Sequence, residues 1–193
     1  MKVLRRLPLL VALALAALLP PRGGLAGDYR KFSWGVAIDE VKDKERDFRF
    51  FYRGEDKLYY KGRVAGYPAA IIYLFTDSRL SEVTVLIEQK HTNNQEFIAD
   101  YKKLLGLLSE KYGKPAKEEQ VWSGGDFLRH NQDVWGDAVA GGYLEFRAQW
   151  QDERTAIQLI LGGDNMHVSL GITYSDRKAE KAKASPPSAT KDL

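Results

Sequence analysis

Residues 121–142 contain the densest group of side chains in the sequence that could do chemistry. The stretch VWSGGDFLRHNQDVWGDAVAGG has five glycines, two tryptophans, three aspartates and His130. Long irregular segments on a rigid scaffold often carry function. Asp126 or Asp133 could orient His130 as a general base, which is the arrangement a hydrolase would need. We therefore keep a hydrolase as the alternative interpretation of this protein.

The same stretch also fits a binding role or a packing role. Arg129 could meet an anion, and together with Trp122, His130 and Trp135 it forms our predicted binding set. In the packing interpretation, the loop closes the open end of a sheet and both tryptophans enter the core, because large aromatic side chains dominate core packing. No nucleophile lies beside His130, since Ser123 is seven residues away. The pattern therefore favours packing or binding over catalysis.

Two other patterns that suggest chemistry have structural explanations. The Gly-Lys pair in EKYGKP (110–115) lacks the glycines before a helix and the Ser or Thr after the lysine that a phosphate loop needs. His91, His130 and His167 lie far apart in the sequence, without the spacing of a zinc-ligand pair. The chain has no cysteine. We therefore predict no metal site, no cofactor and no disulfide.

The distribution of charge argues against a nucleic-acid partner. The chain has 29 Lys and Arg against 26 Asp and Glu, but residues 1–27 hold four of the basic residues and no acidic one. Residues 28–175 carry 20 basic and 23 acidic side chains, a net charge of −3. A nucleic-acid-binding domain carries its positive charge on the folded part, so no nucleic-acid binding is expected.

The two ends of the chain are predicted to lie outside a single folded domain. Residues 1–27 combine a basic start, a short apolar run and small residues, the pattern of a cleaved secretory signal peptide. The run of 13 apolar residues at 7–19 would span about 20 Å as a helix, short of a bilayer core of about 30 Å. Residues 176–193 have almost no large apolar side chains and are predicted to be disordered. The prediction is a globular domain over 28–175 in an exported protein, periplasmic or alternatively secreted, with no membrane span after cleavage.

One long helix is predicted between residues 92 and 113. Phe97, Tyr101, Leu104 and Leu108 recur at spacings of three and four, which places them on one helical face. Gly113 can take the left-handed conformation that ends a helix, and a proline two residues later prevents its continuation. EKYGKP is therefore interpreted as the end of a helix.

Most of the remaining sequence has the pattern of strands joined by tight turns. Six segments are rich in β-branched and aromatic residues: 58–64, 69–75, 80–88, 143–150, 155–161 and 167–174. Strands joined by short turns pair antiparallel. A further strand near 118–123 could add to the sheet. We expect an α+β fold, with an antiparallel sheet of about six strands, one long helix packed on one face and a short N-terminal helix.

Three motifs carry a resemblance to known proteins. FSWGVAIDEV (32–41), YLFTDSRLSEV (73–83) and YGKP (112–115) together resemble a group of small exported bacterial proteins of unknown function. More remotely, the layout is similar to the two-layer domain of the SmpA/BamE-like outer-membrane assembly lipoproteins. The chain departs from these patterns at Ala37, where the group has a Ser or Thr helix cap, and in lacking a cysteine for lipidation. The resemblance implies a fold and is nearly silent about activity.

These observations together predict a cell-envelope protein that is not an enzyme. Its expected partner is another envelope protein or a small ligand, bound through Trp122, Arg129, His130 and Trp135. A purely structural or accessory role and the hydrolase using His130 with Asp126 or Asp133 are the alternatives.

Overall fold

The computed structural model describes residues 28–184, which form one antiparallel sheet with helices. The predicted signal peptide, 1–27, and residues 185–193 lie outside the described residues. The strands are β1 (Arg49–Arg53), β2 (Lys57–Val64), β3 (Tyr67–Thr76), β4 (Arg79–Ile87), β5 (Lys117–Trp122), β6 (Leu144–Gln151), β7 (Thr155–Asp164) and β8 (His167–Asp176). The α-helices are α1 (Ile38–Lys44), α2 (Gln95–Tyr112), α3 (Trp135–Ala140) and α4 (Arg177–Ala184).

All eight strands belong to one sheet with the order β1-β2-β3-β4-β8-β7-β6-β5, and every neighbouring pair is antiparallel. The chain builds this sheet as two four-stranded meanders. Helix α1 precedes the first meander and helix α2 precedes the second. The last strands of the meanders, β4 and β8, pair at the centre from Glu82↔Ser175 to Leu86↔Gly171. The first strands, β1 and β5, are consequently the two edges of the sheet.

The hydrophobic core lies between one face of the sheet and the helices. Alternate residues of the inner strands are buried, such as Leu144, Phe146, Ala148 and Trp150 in β6. Helix α2 contacts β7 and β8 and buries Tyr101, Leu104 and Leu108 of its predicted stripe, whereas Phe97 is only partly buried and Ile98 is buried beside it. The helix ends at the expected position, because Gly113 has a φ of 83° and its backbone N–H bonds to the Ser109 carbonyl.

The segment between α1 and β1 is fixed by a buried carboxylate. The Glu45 side chain accepts a hydrogen bond from the Tyr73 hydroxyl at 2.6 Å and from the Asp47 backbone N–H at 2.7 Å. Lys31 forms an ion pair with the same carboxylate at 3.4 Å. A buried charge is tolerated only when it is paired and hydrogen-bonded. These bonds therefore hold the N-terminal part of the domain against the sheet.

The predicted count of elements is wrong, although the α+β class with an antiparallel sheet is confirmed. The sheet has eight strands instead of about six, and there are four α-helices, three of them short, among the described residues. The strands outside the predicted six are the edges β1 and β5. All five residues of β1 are exposed and none of β5 is buried, so neither shows the alternation that marks a strand in a sequence.

Two of the short helices lie where the sequence predicted no regular structure. Helix α3 falls within 121–142, and α4 begins directly after β8, in the predicted disordered tail. Lysine, alanine, arginine and glutamate make up α4 and all favour helix. The Asp176 side chain accepts a hydrogen bond from the Lys178 backbone N–H at 2.9 Å, which is a typical helix-start contact. No helix of the described residues is long and apolar enough to cross a membrane.

Candidate functional site

The segment between β5 and α3 follows a compact path made of two single-turn 3-10 helices. Gly124 and Gly125 both have positive φ, 125° and 64°, which lets the chain turn sharply after Trp122. The 3-10 turns cover Asp126–Leu128 and Gln132–Val134. The Asn131 side chain caps the second turn by accepting from the Asp133 backbone N–H at 3.0 Å. The glycines and the asparagine therefore determine how residues 123–134 are presented.

Three of the four predicted binding residues lie together beside this segment. The Trp122 and Trp135 rings meet edge to face, with centroids 6.0 Å apart. The Arg129 guanidinium carbon lies 5.3 Å from the centroid of the Trp122 ring. The Trp135 indole N–H points to the Arg129 carbonyl oxygen at 3.3 Å. We call Trp122, Arg129 and Trp135 the tryptophan platform; it is held by aromatic and cation–π contacts.

One side of the tryptophan platform packs against the core and the other side faces solvent. Trp122 and Trp135 are both half-buried and pack against the core, and the Trp135 ring lies 6.2 Å from the Phe146 ring. Phe127, in the first 3-10 turn, is 79% exposed. Burying this ring against a partner would remove apolar area from water, which is favourable. Phe127 was missed as a site residue because its exposure depends on the path of the turn.

His130 does not join the tryptophan platform. Within residues 28–184 its side chain is exposed and forms no hydrogen bond or ion pair, either with Asp126 or with Asp133. The Asp126 carboxylate instead lies 3.2 Å from Arg129 Nε. Asp133 contributes its backbone N–H to the turn. Among the described residues, His130 therefore has no carboxylate that orients it as the hydrolase alternative requires.

A second polar cluster surrounds His91, which the sequence did not single out. His91 Nδ1 lies 2.8 Å from Glu96 Oε2, and Nε2 lies 2.6 Å from Asp100 Oδ2. The second oxygen of Asp100 accepts a hydrogen bond from the Tyr67 hydroxyl at 2.7 Å. Both ring nitrogens can donate to carboxylates only when the ring is protonated. His91 therefore ties the loop between β4 and α2 to two carboxylates of α2, while Tyr67 and Asp100 tie α2 to the start of β3. Both ring nitrogens of His91 are engaged in these contacts.

Several tyrosines are placed where ionisation is unfavourable. Burial raises the pKa of Tyr29, Tyr73 and Tyr174, which pack in one group near Glu45. Burial, and then the negative charge of Glu118, raises the pKa of Tyr101. These phenols stay neutral at physiological pH and serve as core side chains rather than as bases. No group of three or more His, Asp or Glu in the described chain is arranged to hold a metal ion.

Two open depressions lie on the surface of the domain. One, of about 810 Å³, lies on the sheet face opposite the hydrophobic core and is lined by residues such as Thr84, Ser169 and Thr173. The other, of about 600 Å³, lies between α2 and β5 beside Tyr101, Glu118 and Phe146. Neither depression includes any of the four predicted binding residues. The predicted set therefore lines neither of the two depressions, which are the kind of concave site that encloses a small molecule.

Comparison with known proteins assigns the chain to no family. No family model matches the chain, no curated protein is significantly similar to it in sequence, and no solved structure is significantly similar to it in fold.

Proposed function

We propose that this protein is an exported, non-enzymatic binding module of the cell envelope. Its binding surface consists of the tryptophan platform and Phe127, and its partner is an apolar segment of another envelope protein. The single observation that carries this proposal is Phe127, which is 79% exposed in the 3-10 turn that directly precedes Arg129, the residue that packs over Trp122. Export is proposed from the leader pattern in residues 1–27, with the periplasm as the expected compartment.

The composition of this surface supports a protein partner. Trp and Arg are the residue types most enriched among those that dominate binding energy at protein interfaces, and aromatic residues are enriched there in general. The tryptophan platform is also preorganised, because Trp135 is anchored to Phe146 and to the Arg129 carbonyl. Little side-chain entropy is then lost when a partner binds. The exposed Phe127 supplies the apolar group that a partner pocket would bury.

The test compares two exposed apolar residues in different places. Phe127 is changed to serine in one variant, and Met166, 65% exposed in the turn between β7 and β8, is changed to serine in the other. Each protein is tagged and used to isolate partners from envelope extract, and the partner is then titrated against the purified proteins. We expect Phe127→Ser to weaken binding at least tenfold, and Met166→Ser to leave it unchanged.

The same experiment distinguishes the alternatives. Equal binding by the Phe127→Ser and wild-type proteins would contradict the proposed surface. A partner lost equally with both variants would point to non-specific adhesion through exposed apolar groups. Thermal shift with a panel of envelope metabolites covers the remaining ligand class, and a metabolite that stabilises wild type but not Phe127→Ser would contradict a protein partner.

A further inference from the structure

Strand β1 exposes the largest run of consecutive aromatic side chains in the described protein. Phe50 is 45% exposed, Phe51 is 59% exposed and Tyr52 is 53% exposed. The strand lies at the edge of the sheet and pairs only with β2. It stands at the opposite edge from β5, which ends in the tryptophan platform. This surface is therefore separate from the proposed binding site.

The aromatic residues of β1 are held in place rather than extended freely into solvent. The Phe50 ring lies 5.5 Å from the buried Tyr60 ring, with Lys42 over its face at 5.6 Å. The Phe51 ring lies 5.4 Å from the Tyr59 ring, with Lys61 over it at 5.2 Å. Cation–π contacts of this kind cover one side of each ring and leave the other exposed. The edge thus presents an ordered apolar surface.

An edge strand also presents backbone groups that have no partner. Unpaired N–H and C=O groups along an edge are a template for pairing with another extended segment. Proteins recognise extended peptides in this way, with backbone bonds supplying affinity and side chains supplying specificity. A register shift between Phe50 and Tyr52 interrupts the pairing of β1 with β2. Bulges and charged residues commonly limit such edges, so the charges near β1 determine what can pair with it.

The charges around β1 are basic at both ends of the aromatic run. Arg49 precedes it and Arg53 follows it. Arg53 forms an ion pair with Asp39 at 2.6 Å, whereas Arg49 forms no ion pair or side-chain hydrogen bond within residues 28–184. Lys42 lies over the Phe50 ring and Lys61 over the Phe51 ring, and Lys61 also forms an ion pair with Glu88 at 3.5 Å. Opposite charges across a strand pair are favourable, so acidic residues are the matching neighbours.

A second copy of this chain is the other occupant that an exposed edge permits. Antiparallel pairing of two β1 strands along their whole length would set Arg49 of each copy opposite Arg53 of the other. Residues directly opposite in a strand pair share a face, whereas the register shift places these two arginines on opposite faces, since Arg49 pairs with Lys61 and Arg53 with Leu58. Two copies of β1 therefore have no register that matches the whole strand.

We infer that β1 is a docking edge for an extended segment of another protein that carries an apolar centre between two acidic residues. The acidic residues are three positions apart, about 10 Å in a strand, because Arg49 and Arg53 pair with Lys61 and Leu58 of β2 across the register shift. Backbone hydrogen bonds with β1 hold the segment, and its apolar centre covers the exposed aromatic rings.

The test uses synthetic peptides and needs no knowledge of the natural partner. A fluorescent peptide with a Val-Thr centre flanked by glutamates is titrated into the full protein and followed by anisotropy. The control peptide has lysines in place of the glutamates. We expect the glutamate peptide to bind at least tenfold more tightly, and the Arg49→Glu, Arg53→Glu double variant to reverse this preference. Both arginines are exposed and the double variant loses only the surface ion pair of Arg53 with Asp39, so it should fold as the wild type does.

Two further measurements separate strand pairing from simple charge attraction. N-methylation of alternate peptide amides removes backbone donors and should weaken binding at least tenfold without changing the charge. The Phe127→Ser variant should bind the peptide as wild type does, so this inference and the proposed function can fail independently. Equal affinity for both peptides, or no effect of N-methylation, would overturn the inference. So would a dimer in sedimentation equilibrium that the double variant abolishes, since β1 would then pair with its own copy.

Discussion

Replacing Gly136 by alanine should destabilise the protein, because this glycine lets α3 touch the start of α2. A methyl group at Gly136 would lie 2.4 Å from the Asn94 carbonyl carbon and 2.4 Å from the Gln95 nitrogen. Both atoms belong to the backbone, and carbon contacts normally fall at about 3.5–4.0 Å. The helices must therefore separate by about 1 Å. The hydrogen bond from the Gly136 N–H to Gln95 Oε1, now 2.8 Å, would be disturbed as well.

The expected size of the effect follows from these contacts. Overpacking against backbone costs about 1–3 kcal/mol, and a weakened hydrogen bond adds about 1 kcal/mol. Alanine recovers about 1 kcal/mol of helix propensity relative to glycine. The net loss is about 1–3 kcal/mol. Gly106 provides the matched control, because it lies in α2 with nothing within 4 Å of an added methyl group. Gly106→Ala should stabilise the protein by about 0.5–1 kcal/mol.

Urea unfolding followed by tryptophan fluorescence measures both effects. With a denaturant slope of about 2 kcal/mol per molar urea, a loss of 2 kcal/mol lowers the midpoint by about 1 M. The slope should be the same in both variants and in the wild type. If Gly136→Ala were as stable as the wild type, the close approach of α3 to α2, and with it the positioning of Trp135, would be refuted.

Three further predictions concern titrating groups. A hydrogen bond from Lys31 holds the pKa of the Asp47 carboxyl below its usual value. The stability that this contact adds is present above the ordinary aspartate pKa and is lost as pH falls through the lowered pKa. Lys31→Met should raise the pKa of Asp47 in an NMR titration, and an unchanged pKa would contradict the contact. Burial, with a hydrogen bond to a neighbouring carboxylate, raises the pKa of Tyr67 to about 12. The stability that the neutral Tyr67 hydroxyl contributes is complete below pH 10 and is lost as pH rises through 12. The free energy of unfolding of Tyr67→Phe should therefore fall less steeply with pH over that interval than that of the wild type. His91→Ala should cost about 1–3 kcal/mol in urea unfolding, because it leaves one oxygen of the largely buried Asp100 carboxylate without its donor. His130→Ala should stay within about 0.5 kcal/mol of wild type. Equal effects would show that the His91 contacts are not formed.

The central strands and the long helix were predictable because each has one clearly buried face. Leu144, Phe146 and Trp150 alternate with polar residues, since β6 has neighbours on both sides and helices above it. The edges lack this signal. Residues 50–52 are three consecutive aromatics, and an exposed edge places no alternating constraint on them. Charged and aromatic residues on such a strand either protect the edge from unwanted pairing or recognise a partner. The periodicity of the sequence does not distinguish these two roles.

The candidate site was predictable in its residue types but not in its geometry. Two tryptophans and an arginine in a glycine-rich segment indicated binding or packing. Their contact depends on the 3-10 turns, which bring Arg129 back over Trp122. The His91 cluster was not predictable for a related reason. Glu96 and Asp100 are one helical turn apart and could be paired from the sequence. Tyr67 reaches Asp100 from 33 residues away, a contact that only the sheet topology creates.

The proposed binding surface, which consists of the tryptophan platform and Phe127, can be tested inside cells with a photo-crosslinking amino acid. The crosslinker is placed at position 127 in one strain and at position 166 in another, so that both replace exposed apolar side chains. After illumination, crosslinked products are identified by mass spectrometry of the envelope fraction. The account predicts one dominant protein product at position 127 that is absent at position 166. The same products at both positions, or no product at position 127, would contradict it.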